Sequence, residues 1–176
     1  RNDPFPHIVF DNFIDKNLIE NIFLEFPSLE DLKGHITFQN QREIKLASRG
    51  SRHLSPAAKL LLGYLNSDVF LKYLQSLTNI EETLVSDPYL EGGGYHETKK
   101  NGLLEVHVDF NKHFFIDLDR RVNFLLYLNK NWESKWGGCL ELYNKNNLKT
   151  PVKSIDPIFN RCVIFNTTSE SYHGHP

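Results

Sequence analysis

Methionine is absent from this chain of 176 residues, position 1 included, although ordinary usage would supply about three or four. The chain is therefore expected to begin inside its gene product. Cysteine is nearly absent as well. Cys139 and Cys162 cannot build a disulfide framework, and no secretory signal opens the sequence. A reducing, cytoplasmic setting is the expectation, and in it the Asn166-Thr167-Thr168 sequon has no use. No run approaches the roughly 18 apolar residues of a membrane span. Charge of one sign is lacking too: 20 Lys+Arg stand against 22 Asp+Glu, a net −2. Neither a nucleic-acid nor a membrane partner is expected from that balance. There is no internal repeat. Glu91-Gly92-Gly93-Gly94 lacks the Lys-Ser/Thr of a phosphate loop and reads as a turn.

What is present is an ordinary globular composition, 40% apolar, 12% aromatic and 24% charged. That excludes a disordered or collagen-like chain. The length suits one structural domain, which buries about 70% of its unfolded surface without staples. Two regions differ in period. Residues 1–82 read as a strand and helices that support a core, and residues 83–176 read as the core itself.

Residues 7–13 form an apolar, β-branched and aromatic run, a strand. Asp15 caps a helix whose Leu18, Ile19, Ile22, Phe23 and Phe26 recur at helical spacing until Pro27. Residues 33–53 are polar and irregular, with room for a strand or two. Ser55-Pro56 opens a helix to about Asn66, and Ser67 caps another with Val69, Phe70, Tyr73, Leu74 and Leu77 on one face. These stripes are read as core packing.

From Thr83 the period becomes two. Leu104, Val106, Val108 and Phe110 point one way; Leu103, Glu105, His107 and Asp109 point the other. Val122–Leu128, Cys139–Tyr143, Val152–Ile155 and Arg161–Phe165 supply further strands, with Gly137-Gly138 and Pro157 as breaks. Five or more short strands after a helical start predict a jelly roll or barrel flanked by helices. No helix separates the strands, which argues against a doubly wound parallel sheet.

His107-Val108-Asp109 is where chemistry enters. Two places apart on a strand, an imidazole and a carboxylate share a face and can share an ion. A non-haem Fe(II) oxygenase uses two histidines and one carboxylate on one face of the metal. The dipeptide spacing alone is unspecific: eight His and ten Asp in 176 residues give about 0.45 chance matches. A second histidine near the last strand, His173 or His175, adds weight, because the first and last strands of a rolled sheet can meet.

The surrounding residues resemble a known family. Arg120-Arg121-Val-Asn-Phe-Leu-Leu-Tyr127-Leu-Asn-Lys-Asn-Trp132, followed by Gly137-Gly138-Cys-Leu, resembles a stretch of the oxygen-sensing prolyl hydroxylases. So does Ile155-Asp-Pro157-Ile-Phe159-Asn-Arg161 with Phe165, and seven residues then separate Phe165 from His173. The family is the 2-oxoglutarate/Fe(II)-dependent dioxygenase superfamily, prolyl 4-hydroxylase-like branch, and the resemblance covers roughly residues 90–176. It implies a double-stranded β-helix, the cupin-like jelly roll, with the N-terminal helices as support. It implies Fe(II) held by His107, Asp109 and His173, with Tyr127 donating its phenol to 2-oxoglutarate. His173 is favoured over His175, which lies two places beyond the family interval. O2 is the co-oxidant and ascorbate the expected reductant.

The chain departs from that pattern in three places. Residues 110–119 make the interval before Arg120 a few residues longer. The tyrosine that precedes the first ligand has no match in step, Tyr95 being near. The strand expected to carry the basic 2-oxoglutarate anchor lies past Pro176, so the natural protein is expected to continue there; otherwise Arg121 or Arg161 would serve. Lys99-Lys100 and Arg120-Arg121 read as solvated pairs on the rim of the site. His7, His35, His53, His96 and His113 lack spaced partners, and Cys139 and Cys162 read as packing residues.

The expectation is an enzyme that hydroxylates a C–H bond, by preference a prolyl residue in a protein or peptide. The alternatives are a small-molecule substrate for the same chemistry, or a cupin-type metal-binding or isomerase domain. Asp109 already speaks against halogenase-like chemistry, which would call for Ala or Gly there. The identity of the substrate and the oligomeric state are not written in the sequence.

Overall fold

The computed structural model describes residues 3–176, which form ten strands and three α-helices. They divide into two compact units that interleave along the chain. The division does not follow residues 1–82 and 83–176. The N-terminal segment to Lys16 and Gln39–Lys45 group with Thr98–Pro176, while Asn17–Phe38 groups with Leu46–Glu97. Strand pairing over more than a hundred residues makes the difference, and such pairing has no local signature.

The first unit is two antiparallel sheets. In the smaller one, β1 (His7–Phe10) and β6 (Val122–Leu126) flank β9 (Cys162–Asn166). The larger runs from the first residues of β3 (Glu43–Ala47) through β5 (Leu103–His107), β10 (His173–His175) and β7 (Leu140–Leu142) to β8 (Lys153–Ile155). Between the sheets Phe5, Leu140, Leu142, Ile155, Val163 and Phe165 form one buried cluster, with Val9, Leu125 and Tyr127 against it. This is the jelly-roll arrangement that the alternating strands predict. Arg161 ties the N-terminal segment down, donating to both oxygens of Asp11 at 2.6 and 2.9 Å.

The second unit holds α1 (Lys16–Leu24, less its first residue), most of β2 (Ile36–Gln39), the end of β3, α2 (Pro56–Leu65), α3 (Asp68–Thr78) and β4 (His96–Glu97). Two of the caps read from sequence are present: Ser55 accepts from the Ala58 amide and Ser67 from the Phe70 amide. The apolar stripe of α3 is narrower than its spacing predicts. Phe70 and Leu74 are buried, but Val69 and Tyr73 are exposed. A five-residue stripe covers more of a helix than one neighbouring face can hide. Tyr95 is spent structurally, its hydroxyl donating to Ser55 Oγ at 3.1 Å. No helix of the described residues is long and apolar enough to cross a membrane.

Phe165 is 1% exposed and Val69 is 74% exposed. Phe165→Ala should cost about 3–5 kcal/mol by urea unfolding, whereas Val69→Ala should stay within about 0.5 kcal/mol. Equal losses would overturn this placement of the core.

Candidate metal centre

Pairing of the last strand with the first strand of the core series creates the site. β10 lies antiparallel to β5 with His173 directly opposite His107, and the two imidazoles stand 4.5 Å apart between centroids. Close approach here requires Gly174, since a Cβ at that position would meet the Leu104 carbonyl oxygen at 2.7 Å. Asp109 sits two residues beyond His107, but β5 has already ended. It is nonetheless gathered with His107 and His173.

The three residues offer ligand atoms that all lie within 4.8 Å of one another. His107 Nε2 is 3.5 Å from Asp109 Oδ1, and His173 Nε2 is 3.6 Å from Asp109 Oδ2. Each imidazole is oriented from behind. His107 Nδ1 lies 2.8 Å from the Glu105 carbonyl oxygen, and His173 Nδ1 lies 2.9 Å from that of Ser171. A carbonyl only accepts, so Nδ1 carries the proton in both rings and each Nε2 presents a lone pair to the group.

Electrostatics prepare the same donor set. Burial alone would raise the Asp109 pKa, but the hydrogen bond to His107 and the charge of Arg120 hold it at about 2. Asp109 is therefore ionised at neutral pH. Burial pulls His173 below its ordinary value and keeps it neutral. Burial also acts to lower His107, but its contacts with Asp109 and the Glu105 carbonyl outweigh that and raise it. Two imidazole nitrogens and one carboxylate oxygen converging from one side are the donors of a facial triad, which suits a divalent first-row ion such as Fe(II). Among the described residues no other group of His, Cys, Asp and Glu comes together in this way.

His175 is not in the group. It pairs with Leu104 past an irregularity in the β10–β5 ladder, and its Nδ1 is buried without a hydrogen-bond partner among the described residues. Tyr127 follows β6 and packs against the apolar cluster, where burial raises its pKa and keeps the phenol protonated. Arg161, a rival anion anchor, is engaged by Asp11. Arg120 is not a solvated rim charge. Its guanidinium lies 3.4 Å from Asp109 Oδ2 and 4.6 Å over the Phe110 ring. Residues 110–119 are a tied hairpin: Lys112 bonds Asp119 at 2.7 Å, and the Arg120 amide donates to the Asn111 carbonyl.

Sequence reasoning missed Asn123, whose amide donates to Asp109 Oδ2 at 2.7 Å. The signal was available. Asn123 shares the period-two face of Leu125 and Tyr127, and a polar residue on an inward apolar face needs a partner.

Comparison with known proteins agrees with this geometry. Residues 93–176 match the family described as the 2OG-Fe(II) oxygenase superfamily. The chain is 29% identical over 177 residues to the protein named prolyl 3-hydroxylase OGFOD1 of Mus musculus, across 97% of this chain and 29% of that one. It is also 29% identical to the Xenopus laevis protein of the same name, across 97% and 31%. The chain thus spans about a third of the length of these curated relatives. A Pseudomonas putida prolyl-4-hydroxylase superposes with a TM-score of 0.67 at 16% identity, covering 98% of this chain and 86% of that one. A Trichoplax adhaerens prolyl hydroxylase, solved with a hypoxia-inducible-factor peptide fragment, gives 0.63 at 19% identity, covering 98% and 78%. At such identities the likeness is one of fold.

The depressed Asp109 pKa makes a prediction for the metal-free chain. A carboxyl shifted from 3.8 to about 2 stabilises the fold above the unfolded value, and the contribution vanishes as pH falls through the folded one. The shift corresponds to about 2 kcal/mol. Urea unfolding of wild type and Asp109→Asn should differ most near neutrality and converge towards pH 2. A gap that persists at pH 2 would contradict the assignment.

Proposed function

We propose that this chain is a 2OG-Fe(II) oxygenase of prolyl-hydroxylase-like kind, a reading supported by the match of residues 93–176 to that superfamily and by its likeness to prolyl hydroxylases, and that it hydroxylates a prolyl residue of a protein or peptide. The observation that carries this reading is the convergence of His107, Asp109 and His173, with both Nδ1 atoms tied back to carbonyls. These three side chains would hold Fe(II). With 2-oxoglutarate and O2, that iron supplies the oxidation: 2-oxoglutarate leaves as succinate and CO2, and one oxygen atom enters a C–H bond of the substrate.

The chain's own residues do the rest. The backbone carbonyls of Glu105 and Ser171 keep the imidazoles in the tautomer that binds metal, and Phe165 packs edge-on against His173 at 4.9 Å. Tyr127 would donate its phenol to a carboxylate of 2-oxoglutarate. Its raised pKa keeps the proton in place, and its hydroxyl has no hydrogen-bond partner among the described residues. The hairpin that begins beside Asp109 supports a macromolecular substrate over a small one. Phe114, Phe115 and Ile116 at its tip are all more than half exposed, and Phe114 stacks at 4.7 Å on Phe110, which also carries Arg120. A peptide laid across the site would find an apolar rail there. The free thiols Cys139 and Cys162 suit a reducing, cytoplasmic setting, with ascorbate keeping the iron ferrous.

Two measurements test the reading. With Fe(II), ascorbate and 2-oxoglutarate, the protein should form succinate and add 16 Da to proline-containing host peptides, while Asp109→Ala should do neither and stay folded. Succinate formation undiminished in that variant would remove the assignment. Tyr127→Phe should raise the KM for 2-oxoglutarate about ten-fold or more, the value of a hydrogen bond to a charged carboxylate being about 1.5–3 kcal/mol. An unchanged KM would return Tyr127 to the core alone.

A further inference from the structure

Asp109 is the one member of the metal group that no strand holds. His107 ends β5 and His173 begins β10, and the two face each other across a ladder. Asp109 lies on irregular backbone, free to rotate its carboxylate unless side chains prevent it. Two donors do so, and both address the same oxygen. Asn123 Nδ2 donates to Oδ2 at 2.7 Å, and Arg120 Nη2 lies 3.4 Å from that oxygen. Of the two ring nitrogens that face the carboxylate, His107 Nε2 lies 3.5 Å from Oδ1 and His173 Nε2 lies 3.6 Å from Oδ2, so Oδ2 is the oxygen that carries the amide and guanidinium donors besides.

We propose that Asn123 is a positioning residue for the metal: by occupying Oδ2 it fixes the carboxylate plane and leaves Oδ1 as the ligating oxygen. The inference rests on the reading of His107, Asp109 and His173 as the metal group. Asn123 is suited to this task by its own support. It is 9% exposed and lies on β6, whose ladder pairs it with Phe165 of β9. A buried amide in that position costs free energy unless bonded, so the bond to Asp109 and the orientation of Asn123 depend on each other. Arg120 contributes mainly charge. At 3.4 Å, stacked over Phe110, it lowers the Asp109 pKa, whereas the shorter and directional amide bond sets the angle.

The chemical choice of an amide follows. A carboxylate at position 123 would repel Asp109 at this distance, and a lysine would place a second full charge beside a divalent cation. An amide donates one hydrogen bond and changes the net charge of the site by nothing. Orienting partners of ligands of this kind are worth about 10–100-fold in metal affinity.

The test is Co(II) binding to the full chain at neutral pH, followed by calorimetry and by the visible absorption of bound Co(II). Asn123→Leu, close to isosteric but without the donor, should bind Co(II) about 10–100-fold more weakly, with an altered Co(II) spectrum as the carboxylate turns. Asn129→Ala removes another side-chain amide of the same unit, one bonded to the Pro157 carbonyl oxygen, and should leave affinity and spectrum as in wild type. If Asn123→Leu does not fold, Asn123→Ala carries the comparison, with melting of the metal-free protein recorded beside the affinity. A fall in melting temperature without loss of Co(II) affinity would make Asn123 merely structural and overturn the inference. An unchanged affinity and spectrum would overturn it as well. A wild-type chain that takes up no Co(II), Mn(II) or Fe(II) would instead sink the metal reading on which it rests.

Discussion

The antiparallel contact of β10 with β5 is the constraint on which the rest of the site depends. It sets two imidazoles opposite each other, and it can do so only because Gly174 lets the two backbones meet without a Cβ between them. Residues 66 positions apart in the chain thereby become neighbours in one ladder. β10 also pairs with β7, which brings the buried Leu142 against the same strand. Apolar burial in the jelly roll thus holds the ladder, and the ladder holds the two imidazoles. The precision of the group is inherited from the core.

Electrostatics impose a second constraint. Three titratable groups gathered out of water would ordinarily shift towards their neutral forms. Here Asp109 keeps its charge because His107, Arg120 and the Asn123 amide meet it, while the more deeply placed His173 loses its proton to burial. The result is one anion and a neutral imidazole beside a second imidazole of raised pKa. A metal takes both imidazoles in their neutral form. The carbonyls behind both rings ensure that the nitrogen left without a proton is then Nε2.

Much of the fold was legible because it is local. Ser55 and Ser67 are caps in the structure as in the sequence, since capping needs only a side-chain oxygen three residues from an amide. The strands from Leu103 onward lie where the alternation places them, most with ends moved by a residue or two, although β5 stops three residues before Phe110 and β9 is buried at four consecutive positions. Errors arose where a residue's surroundings come from elsewhere in the chain. Val69 and Tyr73 carry the right spacing and still face water, because spacing says where a helix could pack and not how wide its neighbour is. Arg120 looked solvated because nothing beside it in sequence is anionic except Asp119. Its nearest carboxylate at the site, Asp109, is eleven residues back, across the hairpin.

By itself the sequence determined the inventory: a mostly β chain with three short helices, the His107-Val-Asp109 element, and the linked motifs around Tyr127 and Phe165 from which the family can be read. It also singled out two terminal histidines. Only the tertiary structure separates them, setting His173 in register with His107 and displacing His175 past an irregularity in the ladder. Likewise, only the tertiary structure assigned Asn123 and Arg120 to Asp109 and gave β1 to the same sheet as β9. The physical reason is common to all of these. Periodicity, caps and turns are interactions over a few residues, whereas register, burial and the partner of a charge are properties of surfaces that meet only when distant segments fold together.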